Sequence, residues 1–121
     1  MEPSVQQQRF TAAITERIAE AIGTLNDEEL SGLTVLEVKV ARGKSDAVVY
    51  IDGSDIPKKE WPRYLNKLQK ASGYVSRYCL AAESWYKMPK LTFKFDETME
   101  QSKRLEALFA QIKKDRDGSA D

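Results

Sequence analysis

Histidine is absent from the 121 residues, and cysteine occurs once, at Cys79. Without histidine there is no Ser-His-Asp or Cys-His nucleophilic site, no His-ligated zinc and no imidazole general base. One cysteine leaves no intrachain disulfide and no Cys-rich metal site, and it suits a reducing, intracellular setting. Long apolar runs are also missing: none nears the roughly 18 residues of a membrane helix. Met1-Glu2-Pro3 opens with an acid and no apolar run follows, so no leader peptide is expected. The six glycines (23, 32, 43, 53, 73 and 118) never come closer than nine residues apart, so no Walker or Rossmann phosphate loop is present. Nor is there net charge: 19 Lys and Arg balance 19 Asp and Glu, which removes a whole-chain basic footprint for nucleic acid.

What remains is a chain of single-domain size, with 41% hydrophobic and 31% charged residues. Its charge is unevenly spread. Residues 1–32 hold 2 basic and 6 acidic groups, 33–96 hold 12 and 7, and 97–121 hold 5 and 6. The central block can therefore present a positive face between acidic ends.

Residues 1–7 are polar and read as a flexible N-terminal segment. Phe10, Ile14, Ile18, Ala21, Ile22 and Leu25 then fall on one helical stripe. Asn26-Asp27 stops that helix, and a loop closes at Ser31-Gly32. Leu36, Val38 and Val40 alternate with polar neighbours as a strand. A turn at Arg42-Gly43-Lys44-Ser45-Asp46 leads into the β-branched run Ala47 to Ile51, which suggests an antiparallel hairpin.

Residues 58–85 read as helix. Trp61, Leu65, Leu68, Ser72, Val75 and Cys79 form a buried seam, which makes Cys79 core rather than nucleophile. Pro62 sits in the first turn, where its missing N–H is harmless. Ala71-Ser72-Gly73 reads as a kink or break between two helices; the other reading is that Gly73 allows close packing against the sheet, and in a close kink a larger side chain there would overpack. Met88-Pro89 ends the stretch, and Leu91, Phe93 and Phe95 give a third strand. Thr98 with Gln101 resembles a capping box ahead of a last helix carrying Leu105, Leu108, Phe109 and Ile112. The expected domain covers residues 8–114, with a flexible polar tail at 115–121. The expected fold is α+β: a three-stranded sheet with helices on one face.

No carboxylates form a convincing catalytic pair. Glu28-Glu29 lie in a loop or short turn, and Asp96-Glu97 suit a helix cap. One pattern carries binding chemistry. Lys59, Arg63, Lys67, Lys70, Tyr74 and Arg77 recur at helical spacing, about 200° around from the apolar seam. Between residues 58 and 82 the only acid is Glu60. Cations on one face bind phosphate, and a tyrosine among them can stack on a base. An ordinary solvated lysine face is the other reading.

Several stretches together resemble the ribosome-binding factor A family. The order helix, two strands, helix, kink, helix, strand is that of type II KH-like domains. Ala71-Ser72-Gly73 followed by Tyr74-Val75 looks like the family's Ala-x-Gly interruption. Leu33 to Val38 and Ser45 to Ile51 are similar to its strand pair. Pro89 to Thr98 and Arg104 to Leu108 are similar to its closing phrases. The likeness runs from about Arg9 to Ile112. Two stretches depart: Ala81 to Tyr86 lacks the usual arginines, offering Trp85 and Tyr86 instead, and Asn26 to Leu30 is acidic where members often carry a basic phrase.

The resemblance implies a non-enzymatic ribosome-maturation factor without cofactor or metal. Such a factor binds the immature small (30S) ribosomal subunit and its 16S rRNA and assists late rRNA maturation. It implies a cytoplasmic monomer with no membrane and no small-molecule substrate. The residues expected at RNA are Lys59, Arg63, Lys67, Lys70, Tyr74 and Arg77, with Arg42 and Lys44 in the hairpin turn and Lys87 and Lys90 before the third strand. The kink motif is Ala71, Ser72 and Gly73. The competing reading is a KH-like module that docks an acidic protein surface without RNA.

Overall fold

The computed structural model describes residues 5–96. The element order is α1 (Val5–Gly23), α2 (Glu28–Ser31), β1 (Val35–Val40), β2 (Asp46–Asp52), a 3-10 turn (Lys58–Glu60), α3 (Trp61–Glu83) and β3 (Lys90–Asp96). β1 and β2 form the expected antiparallel hairpin. β3 pairs with β2 in parallel, so the sheet order is β1-β2-β3 with α3 as the crossover. The architecture is the expected α+β, three-stranded one.

Alternation explains why each strand has one wet and one dry face. Ala47, Val49 and Ile51 of β2 are buried, as are Leu91 and Phe93 of β3 and Val38 of β1. A bulge between Val35 and Glu37 takes Leu36 out of strict register. The helices cover that dry face. α1 buries Ile14, Ile18, Ala21 and Ile22, and α3 buries Leu68, Val75 and Cys79, all fully. Both helices thus follow the stripes written in the sequence. Burial pushes the Cys79 thiol up to about 11, so it is a core residue and not a nucleophile. No helix among the described residues is long and apolar enough to cross a membrane.

Several sequence expectations need correction. α1 begins at Val5, so Val5 to Gln7 belong to the helix and not to a loose start. The loop at 26–32 contains the short helix α2, capped by Asp27, whose carboxylate accepts from the Glu29 and Leu30 N–H groups. α3 is helical through Ala71, Ser72 and Gly73, so no interruption divides it into two helices there. Glycine in a helix interior costs only about 1 kcal/mol relative to alanine, less than the buried anchors Leu68, Val75 and Cys79 contribute. Ser72 satisfies its hydroxyl inside its own turn by donating to the Gln69 carbonyl at 2.7 Å. The expected final helix at 105–112 and the Thr98–Gln101 box lie outside the described residues.

Gly73 is not close-packed either. A Cβ there would meet only the Arg77 guanidinium, at 3.4 Å. The tight glycine is Gly53, after β2, where a Cβ would lie 2.7 Å from the Trp61 ring and 3.1 Å from Phe95 Cβ. Trp61 is fixed there by its Nε1–H donating to the Ile56 carbonyl at 2.9 Å and by its ring against Phe95. Urea unfolding should therefore separate the two glycines. Gly73→Ala is expected to raise stability by about 0.5–1 kcal/mol, while Gly53→Ala lowers it by about 1–3 kcal/mol. Equal effects at both positions would contradict this packing.

Candidate nucleic-acid interface

Burying Leu68, Val75 and Cys79 turns the opposite face of α3 outward. Arg63, Lys70, Tyr74 and Arg77 are exposed on that face and Lys67 is half-buried. Lys59 is also exposed, but it belongs to the 3-10 turn ahead of α3, so the helical stripe proper starts at Arg63. Arg63 and Arg77 stand about 21 Å apart along the axis at 1.5 Å per residue.

The acidic segment at 26–30 folds against the first half of this face. Leu30 is buried and anchors α2, which brings Glu29 onto α3. Arg63 donates through Nη1 and Nη2 to the two Glu29 oxygens, at 2.6 and 2.8 Å, and through Nε to Glu60 at 2.9 Å. Lys67 Nζ reaches Glu29 at 2.8 Å and Asp27 at 2.6 Å, and the Tyr64 hydroxyl donates to Glu29 at 2.9 Å. The Arg63 guanidinium, then Lys67, then Tyr64, hold the Glu29 carboxyl well below the usual carboxylate range. Lys67 likewise lowers Asp27. These partners are far apart in sequence, and nothing in the local pattern of Glu28-Glu29 signalled them.

The second half of the stripe differs. Lys70 and Arg77 meet no acid among the described residues, and neither does Lys59. Tyr74 keeps an exposed ring while its hydroxyl shares a 2.6 Å hydrogen bond with Thr24 at the end of α1. Ala71 and Ser72 are half-buried within the same helix, and Gly73 is exposed.

The remaining candidates lie at the far end of α3. Arg42 and Lys44 occupy the β1–β2 turn, where Lys44 adopts a left-handed φ of 58° and lays its Nζ over the Phe10 ring at 4.7 Å. Lys90 follows close by, its N–H donating to the Ser45 carbonyl at 3.0 Å. Lys87 and Lys90 are exposed and meet no acid among the described residues. Trp85 packs on Phe10 with ring centroids 4.7 Å apart, so of the two aromatics there only Tyr86 stands free in solvent. The ten candidates thus form two groups, one along α3 and one at the hairpin end.

Known proteins match this chain over most of its length. The family model for ribosome-binding factor A matches residues 6–109. A Wolinella succinogenes protein named ribosome-binding factor A is 39% identical over 116 residues, covering 96% of this chain and 98% of that one. A Campylobacter jejuni protein of the same name is 38% identical over 120 residues, 98% of this chain and all of that one. Among solved structures, the fold is similar to the crystal structure of ribosome-binding factor A from Thermus thermophilus. There the TM-score is 0.63 at 23% identity, over 73% of this chain and 92% of that one. It is also similar to a homology model of the Thermus thermophilus factor fitted into the cryo-EM map of a 30S complex. That match has a TM-score of 0.59 at 24% identity, over 70% of this chain and 89% of the other.

The clamp makes a pH prediction. Asp27 and Glu29 have folded pKa values depressed from ordinary values of 3.8 and 4.5, so their contribution to stability is complete above about pH 5 and is lost as pH falls. Urea melts between pH 3 and 7 should show a shallower acid limb for Glu29→Gln than for the unaltered chain. Parallel limbs would mean that the carboxylate titrates normally.

Proposed function

This chain belongs to the ribosome-binding factor A family, and from that premise we propose that it binds the immature small ribosomal subunit through 16S rRNA and assists late rRNA maturation. The reading is of a binding factor and not an enzyme, acting as a cytoplasmic monomer without cofactor. The observation that carries it is the outer face of α3, where Lys70 and Arg77 flank the exposed ring of Tyr74 with no acid against either cation among the described residues. Cations spaced along a rigid helix track phosphates, and an exposed tyrosine between them can stack on an unpaired base. The Thermus thermophilus relative fitted into a 30S complex supports the small subunit as the partner. Lys59, Arg63 and Lys67 would extend the contact along α3. Arg42, Lys44, Lys87 and Lys90 would form a second contact at the hairpin end.

Co-sedimentation tests this reading. The chain should travel with free small subunits at low salt and leave them as salt rises. Reversing both Lys70 and Arg77 to Glu should weaken binding at least tenfold and flatten the log–log salt slope by about 1.4–1.8, because two phosphates are no longer neutralised. Folding should hardly change, since exposed charges contribute little. Binding that survives RNase treatment yet is lost on this double reversal would instead favour docking of the α3 face on an acidic protein surface.

A further inference from the structure

Four donors converge on one carboxylate at the start of α3. Glu29 accepts from Arg63 Nη1 and Nη2, from the Tyr64 hydroxyl and from Lys67 Nζ, all between 2.6 and 2.9 Å. Every donor comes from a single turn of α3, and the acceptor comes from a different element. A guanidinium fork beside an ammonium and a phenol is the donor set with which proteins grip phosphate oxygens. The carboxylate therefore occupies the position of an oxyanion, on a site that would persist if Glu29 swung away.

The surroundings make that exchange feasible. The Glu29 side chain is 39% exposed and that of Arg63 48%, so neither charge is sealed from solvent. Glu29 also borders an open cleft of about 180 Å³ between α2, the end of β2 and Tyr64, so its displacement moves no core atom. α2 is only four residues long, and Leu30 and the Asp27 cap can hold it without Glu29. Charge points the same way. Arg63 and Lys67 meet Asp27, Glu29 and Glu60, so releasing Glu29 raises the net charge of this cluster from −1 to 0, with the exposed Lys59 and Lys70 next along the same row of cations.

We propose that Arg63, Tyr64 and Lys67 form a binding site for a nucleic-acid phosphodiester, and that the Glu29 carboxylate fills this site in the free protein and competes with the phosphate for it. This rests on the reading of α3 as an RNA-facing helix and adds which phosphate site is occupied before RNA arrives. Asp27 and Glu60 keep their own bonds to Lys67 and Arg63, so only the donors pointing at Glu29 become available. An RNA must displace Glu29 to reach them.

Fluorescence anisotropy with a labelled twelve-residue oligouridylate, on the full chain, tests the proposal. Glu29→Gln should bind about threefold to tenfold more tightly than the unaltered chain at about 0.1 M salt. Its salt slope should steepen by about 0.7 to 1.4, as one or two more phosphates of a single strand are neutralised. Glu28→Gln removes the same charge from the neighbouring position and should change affinity less than about twofold. Combining Glu29→Gln with Arg63→Gln should abolish the gain. An equal gain from Glu28→Gln, or a gain that survives loss of Arg63, would reduce the effect to net charge and overturn the site. So would a failure of Glu29→Gln to gain affinity for the oligouridylate. Should that variant not fold, NMR of the unaltered chain decides: the Arg63 and Lys67 side-chain resonances must move as oligouridylate is added, and fixed resonances at saturation overturn the proposal. If the gain appears while small subunits bind neither protein, the phosphate site stands and the ribosomal reading falls.

Discussion

The outer surface of α3 is dictated by what its inner face must bury. Only the dry face of the three-stranded sheet is covered by α1 and α3, and α3 meets it with Leu68, Val75 and Cys79, each fully enclosed. Burial of a side chain of this size contributes about 1.5–3 kcal/mol, so the rotation of the helix about its axis is not free to vary. At 3.6 residues per turn, fixing that seam also fixes the angular position of Arg63, Lys67, Lys70, Tyr74 and Arg77. The parallel pairing of β3 with β2 sets the ends: the start of α3 lies by the end of β2, and its end lies by the hairpin turn and Lys90.

Along that fixed face the chain grades its charge. The acids of α2 and Glu60 hold the two cations nearest the start of α3, while Lys70 and Arg77 beyond them meet none among the described residues. Each of these pairs is half-exposed and contributes modestly to stability by itself. Their larger effect is on recognition. On the proposed binding to RNA, a carboxylate bound to Arg63, Tyr64 and Lys67 would withhold three donor side chains from an incoming phosphate until it is displaced, and would leave the second half of the helix as the open landing surface.

Much of the fold is legible in the sequence because period follows burial. The stripes of α1 and α3 and the alternation of β2 and β3 face the core as their spacing predicts, and so does β1 apart from Leu36, where a bulge brings Val35 against the core instead. The break expected at Ser72-Gly73 does not form. Glycine within a helical pattern reports a low propensity, and packing on the sheet outweighs it here. The candidate site is half legible. Spacing alone places Arg63, Lys67, Lys70, Tyr74 and Arg77 on one face. It cannot show that Asp27 and Glu29, more than thirty residues earlier, are carried onto Arg63 and Lys67, because that depends on Leu30 entering the core. For the same reason Trp85 reads as available for stacking, yet it is packed against Phe10 from the start of the chain.

The central claim is that the small subunit is met by the cationic face of α3 and not by the open face of the sheet, where Lys39 and Lys94 are also exposed. Lysine acylation of the unaltered chain, read by mass spectrometry with and without small subunits, tests it most directly. The account predicts that Lys59, Lys67 and Lys70 lose reactivity in the complex while Lys39 and Lys94 keep theirs. Protection of Lys39 and Lys94 with Lys59, Lys67 and Lys70 unchanged would contradict it.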